Sequence, residues 1–151
     1  MAQSLNVKIK KLPHFGDLEL PKYETAGAAC MDIRAALTDS ITIKPGERKL
    51  VPTGICMAIP EGWEMQFRSR SSLPLKHGVM IMNSPGTVDS DYRGEIMGIM
   101  GNFGTEDFTI QHGDRIAQIG FFPITQATWQ EVNELDETER GTGGYGSTGT
   151  A

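Results

Sequence analysis

Residues 86–95 read GTVDSDYRGE: two carboxylates two positions apart, then an aromatic ring, a cation and a glycine. On extended backbone side chains alternate faces, so Asp89 and Asp91 share one side and Tyr92 points to the other. Such a stretch can orient a water, offer a flat surface to a sugar or base, and expose bare backbone for hydrogen bonding. That is chemistry suited to a nucleotide. The competing reading is a plain turn, because Asp, Ser and Gly favour turns for backbone reasons alone. Three more segments carry the same theme. CMDIRA at 30–35 sets Asp32 on a strand beside Ile33. SRSSLPLKHG at 69–78 puts Arg70 next to Ser71 and Ser72, so a guanidinium fork and hydroxyl donors can divide phosphate oxygens between them. GDRIAQI at 113–119 puts Arg115 three residues before Gln118, on opposite faces of a strand unless the chain bends. Each segment alone also fits solvated surface.

From Arg140 the character changes: RGTGGYGSTGTA carries five glycines, one ring, one arginine and hydroxyls at Thr142, Ser147, Thr148 and Thr150. It cannot bury enough apolar surface to fold by itself. Composition fits a flexible tail. It also fits a lid in which glycine N–H groups converge on phosphate, Ser147 and Thr148 donate, Arg140 clamps and Tyr145 covers a base. A pure spacer has no use for Arg140 and Tyr145.

The elements that must hold these residues are strands. Val7 and Ile9 alternate with lysines, Ile41 and Ile43 flank Thr42, and Trp63, Met65 and Phe67 alternate with Glu64, Gln66 and Arg68. Further strands are expected at 48–53, 79–82, 95–102, 115–123 and 127–132, separated by turn signals such as Pro45-Gly46, Glu61-Gly62 and His112-Gly113. No window of helical length keeps a 3.6 period, which predicts an all-β sandwich, jelly roll or barrel. TIKPGER at 42–48 and TIQHGDR at 109–115 resemble each other. They read as two similar hairpin corners in which Glu47 and Asp114 pair with Arg48 and Arg115 or cap the turn.

At 151 residues, 38% hydrophobic and 22% charged, the chain has the size and content of one domain, and its 18 glycines imply many turns. There is no apolar run of membrane-spanning length, and the N-terminal MAQSLNVKIKK lacks a signal-peptide core, so a soluble, cytoplasmic protein without a membrane partner is expected. Cys30 and Cys56 show no ligand spacing and read as reduced, buried thiols. His14, His77 and His112 are too scattered for zinc, and His77 reads as structural. A net charge of −5 argues against coating nucleic acid. A phosphorylated ligand would need a few aimed cations, backbone N–H groups and a divalent metal. The acids at Glu131, Glu134, Asp136, Glu137 and Glu139 read as a solvated connector.

Taken in order, these segments resemble the trimeric dUTP pyrophosphatase family, which carries five ordered motifs. The resemblance spans Pro21 to Gly149 and is close at RSSL (70–73), GTVDSDYRGE, GDRIAQ (113–118) and RGTGGYGSTG (140–149). It implies a jelly-roll-like or distorted-barrel β-clip subunit over residues 1–139, with at most one short helix, and a flexible Gly-rich phosphate-binding lid over residues 140–151. It further implies a homotrimer with active sites at subunit contacts, each drawing on more than one chain. The implied reaction is Mg²⁺-assisted hydrolysis of dUTP to dUMP and pyrophosphate, which limits uracil incorporation into DNA and supplies dUMP for thymidylate synthesis. By the same analogy Asp89 orients and deprotonates the water attacking the α-phosphorus. Asp32 reaches the hydration shell of Mg²⁺. Arg70, Ser71, Ser72 and Gln118 hold phosphates, and Arg140, Tyr145, Ser147 and Thr148 close over the site. Asn83, Thr87, Val88 and Met97 frame the uracil, leaving no space for a thymine methyl, and Tyr92 beneath the sugar leaves none for a 2′-hydroxyl.

Departures from the family pattern are Cys30 and Ser72 where glycine is usual, Tyr145 where phenylalanine is usual, and Ser84-Pro85 after Asn83. A related dCTP deaminase also reads RSSL, but its catalytic glutamate falls at Ile99 here and its following arginine at Leu75. A module that only binds nucleotide has no use for a water-aimed Asp89.

Overall fold

A computed structural model of the protein describes residues 4–144. Ten strands form, namely β1 (Lys8–Lys11), β2 (Met31–Arg34), β3 (Ile41–Ile43), β4 (Arg48–Ala58), β5 (Trp63–Arg68), β6 (Val79–Ile81), β7 (Gly86–Val88), β8 (Glu95–Asn102), β9 (Phe108–Ile110) and β10 (Arg115–Pro123). A 3-10 turn at Pro13–Phe15 and one short helix, α1 (Ser72–His77), complete the described elements. Two four-stranded antiparallel sheets run in the orders β1-β4-β8-β6 and β2-β10-β5-β7, and the β3-β9 ribbon stands beside them. Period-two patterning places one set of side chains inside: Met65 and Phe67 of β5 are buried while Glu64, Gln66 and Arg68 are not. With Val51, Ile55, Ile96 and Met100 from the first sheet and Ile33, Ile116 and Ile119 from the second, they form one continuous core.

The two similar segments seen in the sequence pair with one another. Thr42 faces Thr109 across the β3-β9 ribbon, their hydroxyls 2.8 Å apart. Each ribbon strand then turns through a glycine with positive φ, Gly46 at 78° and Gly113 at 86°. Each turn is closed by its own acid: Glu47 accepts from Lys44 N at 3.1 Å and Asp114 from Gln111 N at 2.8 Å. Capping, not pairing with the neighbouring arginine, is therefore their job. Beyond the turns the bonding is also shared, since Gly46 and Glu47 exchange backbone bonds with Asn102 as Gly113 and Asp114 do with Ala35.

Two expectations are corrected. Residues 127–132 are not a strand: the chain leaves the sheet after Pro123 and runs exposed, with Trp129 at 95% and Leu135 at 83%. No strand of the described chain lies beside it, and a strand without a ladder partner leaves its N–H and C=O groups to water. Residues 86–94 are extended only through Val88, and β8 begins at Glu95. Tyr92 N then donates to Asp89 O at 3.2 Å, closing a turn over residues 89–92, so Asp89 and Asp91 are not set on one face by strand alternation. Cys30 and Cys56 are unpaired as expected, though half-buried instead of buried.

Candidate functional site

One rung of the second sheet collects three polar residues from three strands: Asp32 faces Gln118, and Gln118 faces Arg68. Beyond β5 the chain leaves the sheet through Ser69, whose Oγ accepts from Ile81 N at 2.9 Å and whose O accepts from Gln118 Nε2 at 2.9 Å. Arg70 is thereby turned back over the rung, and its Nε lies 2.9 Å from Asp32 Oδ1. Arg115 Nη1 reaches the other oxygen, Asp32 Oδ2, at 3.2 Å. A bulge between Arg115 and Ala117 is what brings Arg115 and Gln118 to the same side. Sequence reasoning allowed for such a bend but left Arg115 out of the site.

Arg70 Nη1 also donates to Arg115 O at 3.3 Å, leaving further N–H groups of both forks free to meet an anion. Ser71 caps α1 without a side-chain capping bond and is exposed, and Ser72 opens the helix half-buried. Gly78, at φ 67° and ψ 16°, ends it after six residues. A helix this short, with Pro74 in its first turn, carries no periodic signal, which is why no position for it was expected.

The second group lies on the β7-turn-β8 hairpin. A cleft of about 330 Å³ is lined by Thr87, Val88, Asp89, Tyr92 and Met97, with Leu50 and Ile99 extending its wall. Asp89 is exposed at its edge and also borders a neighbouring cleft with Asp91, Glu61 and Glu64. The Tyr92 ring folds back over Gly94, where a Cβ would collide with the tyrosine hydroxyl, and that hydroxyl donates to Glu95 O at 3.0 Å. Asn83 sits in the exposed β6-β7 connection, its amide packed over Gly86. Ser84-Pro85 is a cis peptide, and Ser84 Oγ accepts from Ser69 N at 3.0 Å, tying this connection to the loop that carries Arg70.

Within one chain the two groups stay apart. Asp32 lies on β2 and Asp89 just past the end of β7, at opposite edges of one sheet, separated by the intervening strands β10 and β5, or about 14 Å across, and by the run from the Arg68 rung to the Glu64 rung, about 13 Å along. Arg140 joins neither group: its Nε donates to Gly143 O at 2.8 Å on the exposed C-terminal segment. Tyr145, Ser147 and Thr148 lie outside the described residues. Among the described residues no three His, Cys, Asp or Glu side chains cluster to cage a metal. No described helix is long and apolar enough to cross a membrane.

Comparison with known proteins converges on one family. The dUTPase family model matches residues 17–149. The deoxyuridine 5′-triphosphate nucleotidohydrolase of Methylocella silvestris is 51% identical over 153 residues, covering 100% of this chain and 96% of that protein. The enzyme of the same name from Maricaulis maris is 53% identical, covering 95% of this chain and 96% of its own. Among solved structures, the dUTPase of Staphylococcus bacteriophage 80alpha with dUpNHpp superposes with a TM-score of 0.85 at 24% identity, over 96% of this chain and 99% of that one.

Proposed function

The chain belongs to the dUTPase family and hydrolyses dUTP to dUMP and pyrophosphate, and on that premise we propose which of its groups do so. Asp89 takes a proton from the water whose oxygen attacks the α-phosphorus, and the α–β bridging oxygen leaves with the pyrophosphate. The observation that carries this assignment is the exposed Asp89 carboxylate at the rim of a cleft lined by Tyr92 and Met97. A carboxylate held at the mouth of a base-sized cleft both aims and activates water. Asn83, Thr87, Val88 and Met97 frame the uracil, and Tyr92 lies beneath the deoxyribose. Arg70, Ser71, Ser72 and Gln118 hold the phosphates, and Arg115 joins them because it shares Asp32 with Arg70. Arg140, Tyr145, Ser147 and Thr148 close over the phosphates as the lid, residues 140–151, of a β domain formed by residues 1–139.

Mg²⁺ fits the donor set in one way. With a single carboxylate in the phosphate group and both its oxygens engaged by arginines, Asp32 suits a metal held by water and substrate phosphates, and a protein cage has no ligands to form it. Bound there, the ion would neutralise charge on the phosphate oxygens. The free Cys30 and Cys56 fit a reducing compartment, and we place the enzyme in the cytoplasm, where removing dUTP limits uracil incorporation into DNA and yields dUMP for thymidylate synthesis.

We assign the active form to a homotrimer with sites at subunit contacts. The separation between the Asp89 turn and the Asp32–Arg70 cluster on one chain supports drawing the phosphate-binding residues from a neighbouring subunit. Exposed Leu50, Met82, Met97, Ile99 and Phe103, and Trp129 on the C-terminal segment, supply apolar surface for that contact. Deamination of dCTP is set aside, since Ile99 stands where the deaminase acid would be.

Pyrophosphate release measured with dUTP, dTTP, dCTP and UTP, with and without Mg²⁺, tests the reading. Release from dUTP alone is expected, dependent on the metal. Asp89→Asn should keep nucleotide affinity and lower kcat by about 10²- to 10⁴-fold, and a variant with near-normal turnover would place the base elsewhere.

A further inference from the structure

Glu95 opens β8 in the wall of the cleft, and its carboxylate is held from two sides. Oε1 accepts from Gly54 N at 2.7 Å and lies 2.7 Å from His14 Nε2, which comes from the 3-10 turn 81 positions away. The β4-β8 ladder breaks between Pro52 and Cys56, and within that break the Glu95 side chain supplies the acceptor for Gly54. Gly54 is itself clamped: its O accepts from Leu12 N at 2.8 Å, and a Cβ there would lie 2.9 Å from Phe15 Cα. On the cleft side, the backbone carbonyl of the same Glu95 receives the Tyr92 hydroxyl at 3.0 Å.

We propose that Glu95, braced by His14 and Gly54, is a positioning residue that fixes the height of the Tyr92 ring and so sets discrimination between deoxyribose and ribose. The inference rests on the reading of Tyr92 as the surface beneath the sugar. A missing or added hydroxyl is discriminated sterically only if the wall it meets cannot yield, and small steric differences otherwise separate substrates weakly. Tyr92 is 45% exposed and rests on Gly94 at its inner face, so packing alone holds it loosely. Its tether is the Glu95 carbonyl, and the carbonyl is as stiff as the side-chain brace beneath it. A residue that merely satisfied Gly54 N would affect stability and leave selectivity alone.

The test is the ratio of kcat/KM for dUTP to that for UTP, measured with Tm for wild type, Glu95→Ala, Glu95→Gln and Tyr92→Ala. Glu95→Ala should lower the ratio by about ten-fold, the scale of one lost hydrogen-bonded support, with KM for dUTP rising more than kcat falls. Glu95→Gln keeps an acceptor for Gly54 and a partner for His14, and should stay within about two-fold of wild type. A lowered Tm with an unchanged ratio in Glu95→Ala, while Tyr92→Ala loses selectivity, overturns this proposal alone. An unchanged ratio in Tyr92→Ala overturns the sugar-platform reading and this inference with it. Should Glu95→Ala not fold, His14→Ala is read on the same ratio: a fall of about three-fold supports the brace, and no change overturns it.

Discussion

Asn102 is 1% exposed and fully engaged, its Nδ2 donating to Ile43 O and Glu106 O and its Oδ1 accepting from Gly104 N, each at 2.8 Å. A buried amide can be this deep only because every polar atom has a partner. Asn102→Leu strands two carbonyls and one N–H, so we expect a loss of about 3 kcal/mol in denaturant unfolding, with kcat/KM of the folded enzyme near wild type. A loss below about 0.5 kcal/mol would mean that water replaces the amide. The same contrast between local and distant partners decides what could be read from the chain at this scale. Asp32, Arg70 and Gln118 were named because their segments, taken in order, resemble a family's motifs, and the fold brings the three together. Arg115 was not, since its arrival beside Asp32 depends on a bulge that no local pattern announces. The His14–Glu95 pair was invisible for a related reason: 81 positions separate two residues whose types are unremarkable where they stand.

Strands 41–43 and 63–68 were legible to the residue because period-two alternation is a local property of a half-buried strand, whereas 95–102 and 115–123, which do not alternate throughout, were marked out by apolar content between turn signals. The expected strand at 127–132 failed because a strand is a pairing and not a sequence, and one chain offers that segment no ladder. β4 runs on to Ala58, beyond the expected end at residue 53, by way of the irregularity at Gly54. There φ is 68° and a Cβ would press on both Phe15 and Ala36. Gly54→Ala therefore combines left-handed strain with overpacking, and a loss of roughly 2–4 kcal/mol is expected in thermal or denaturant unfolding. A stability change under about 1 kcal/mol would show that the irregularity relaxes at little cost. The C-terminal element makes the opposite prediction. On the proposed lid reading, deleting residues from 141 onward should leave the fold's Tm within a few degrees while slowing dUTP hydrolysis at least about ten-fold, because it would remove phosphate donors while residues 141–144 form no part of the core. Unchanged kinetics would reduce the segment to a spacer.

The matched corners on either side of the β3-β9 ribbon are related by an approximate local twofold, in which Asn102 corresponds to Ala35 and the end of β8 to the end of β2, although β8 is an interior strand and β2 an edge. Counting back from those two residues, Ile99 facing Leu50 occupies the place that Asp32 facing Gln118 holds in the other sheet. One copy of the rung is polar and carries the Asp32, Arg70, Arg115 and Gln118 cluster proposed to hold phosphates. Its counterpart is apolar, exposed and continuous with the base cleft. If, as proposed, two different patches on one chain each hold half of a site, copies would associate head to tail, and a head-to-tail contact that closes on itself generates a ring. In such a ring Asp89 and Arg70 of one site belong to different chains. Asp89→Asn and Arg70→Ala homomers should then each be nearly inactive, yet subunits mixed, unfolded and refolded together at equal amounts should recover about a quarter of wild-type turnover. Each contact has even odds of drawing an intact Asp89 from one side and even odds of drawing an intact Arg70 from the other. If both residues served one site from the same chain, no mixed assembly could contain an intact pair, and the refolded mixture would stay as inactive as its parents.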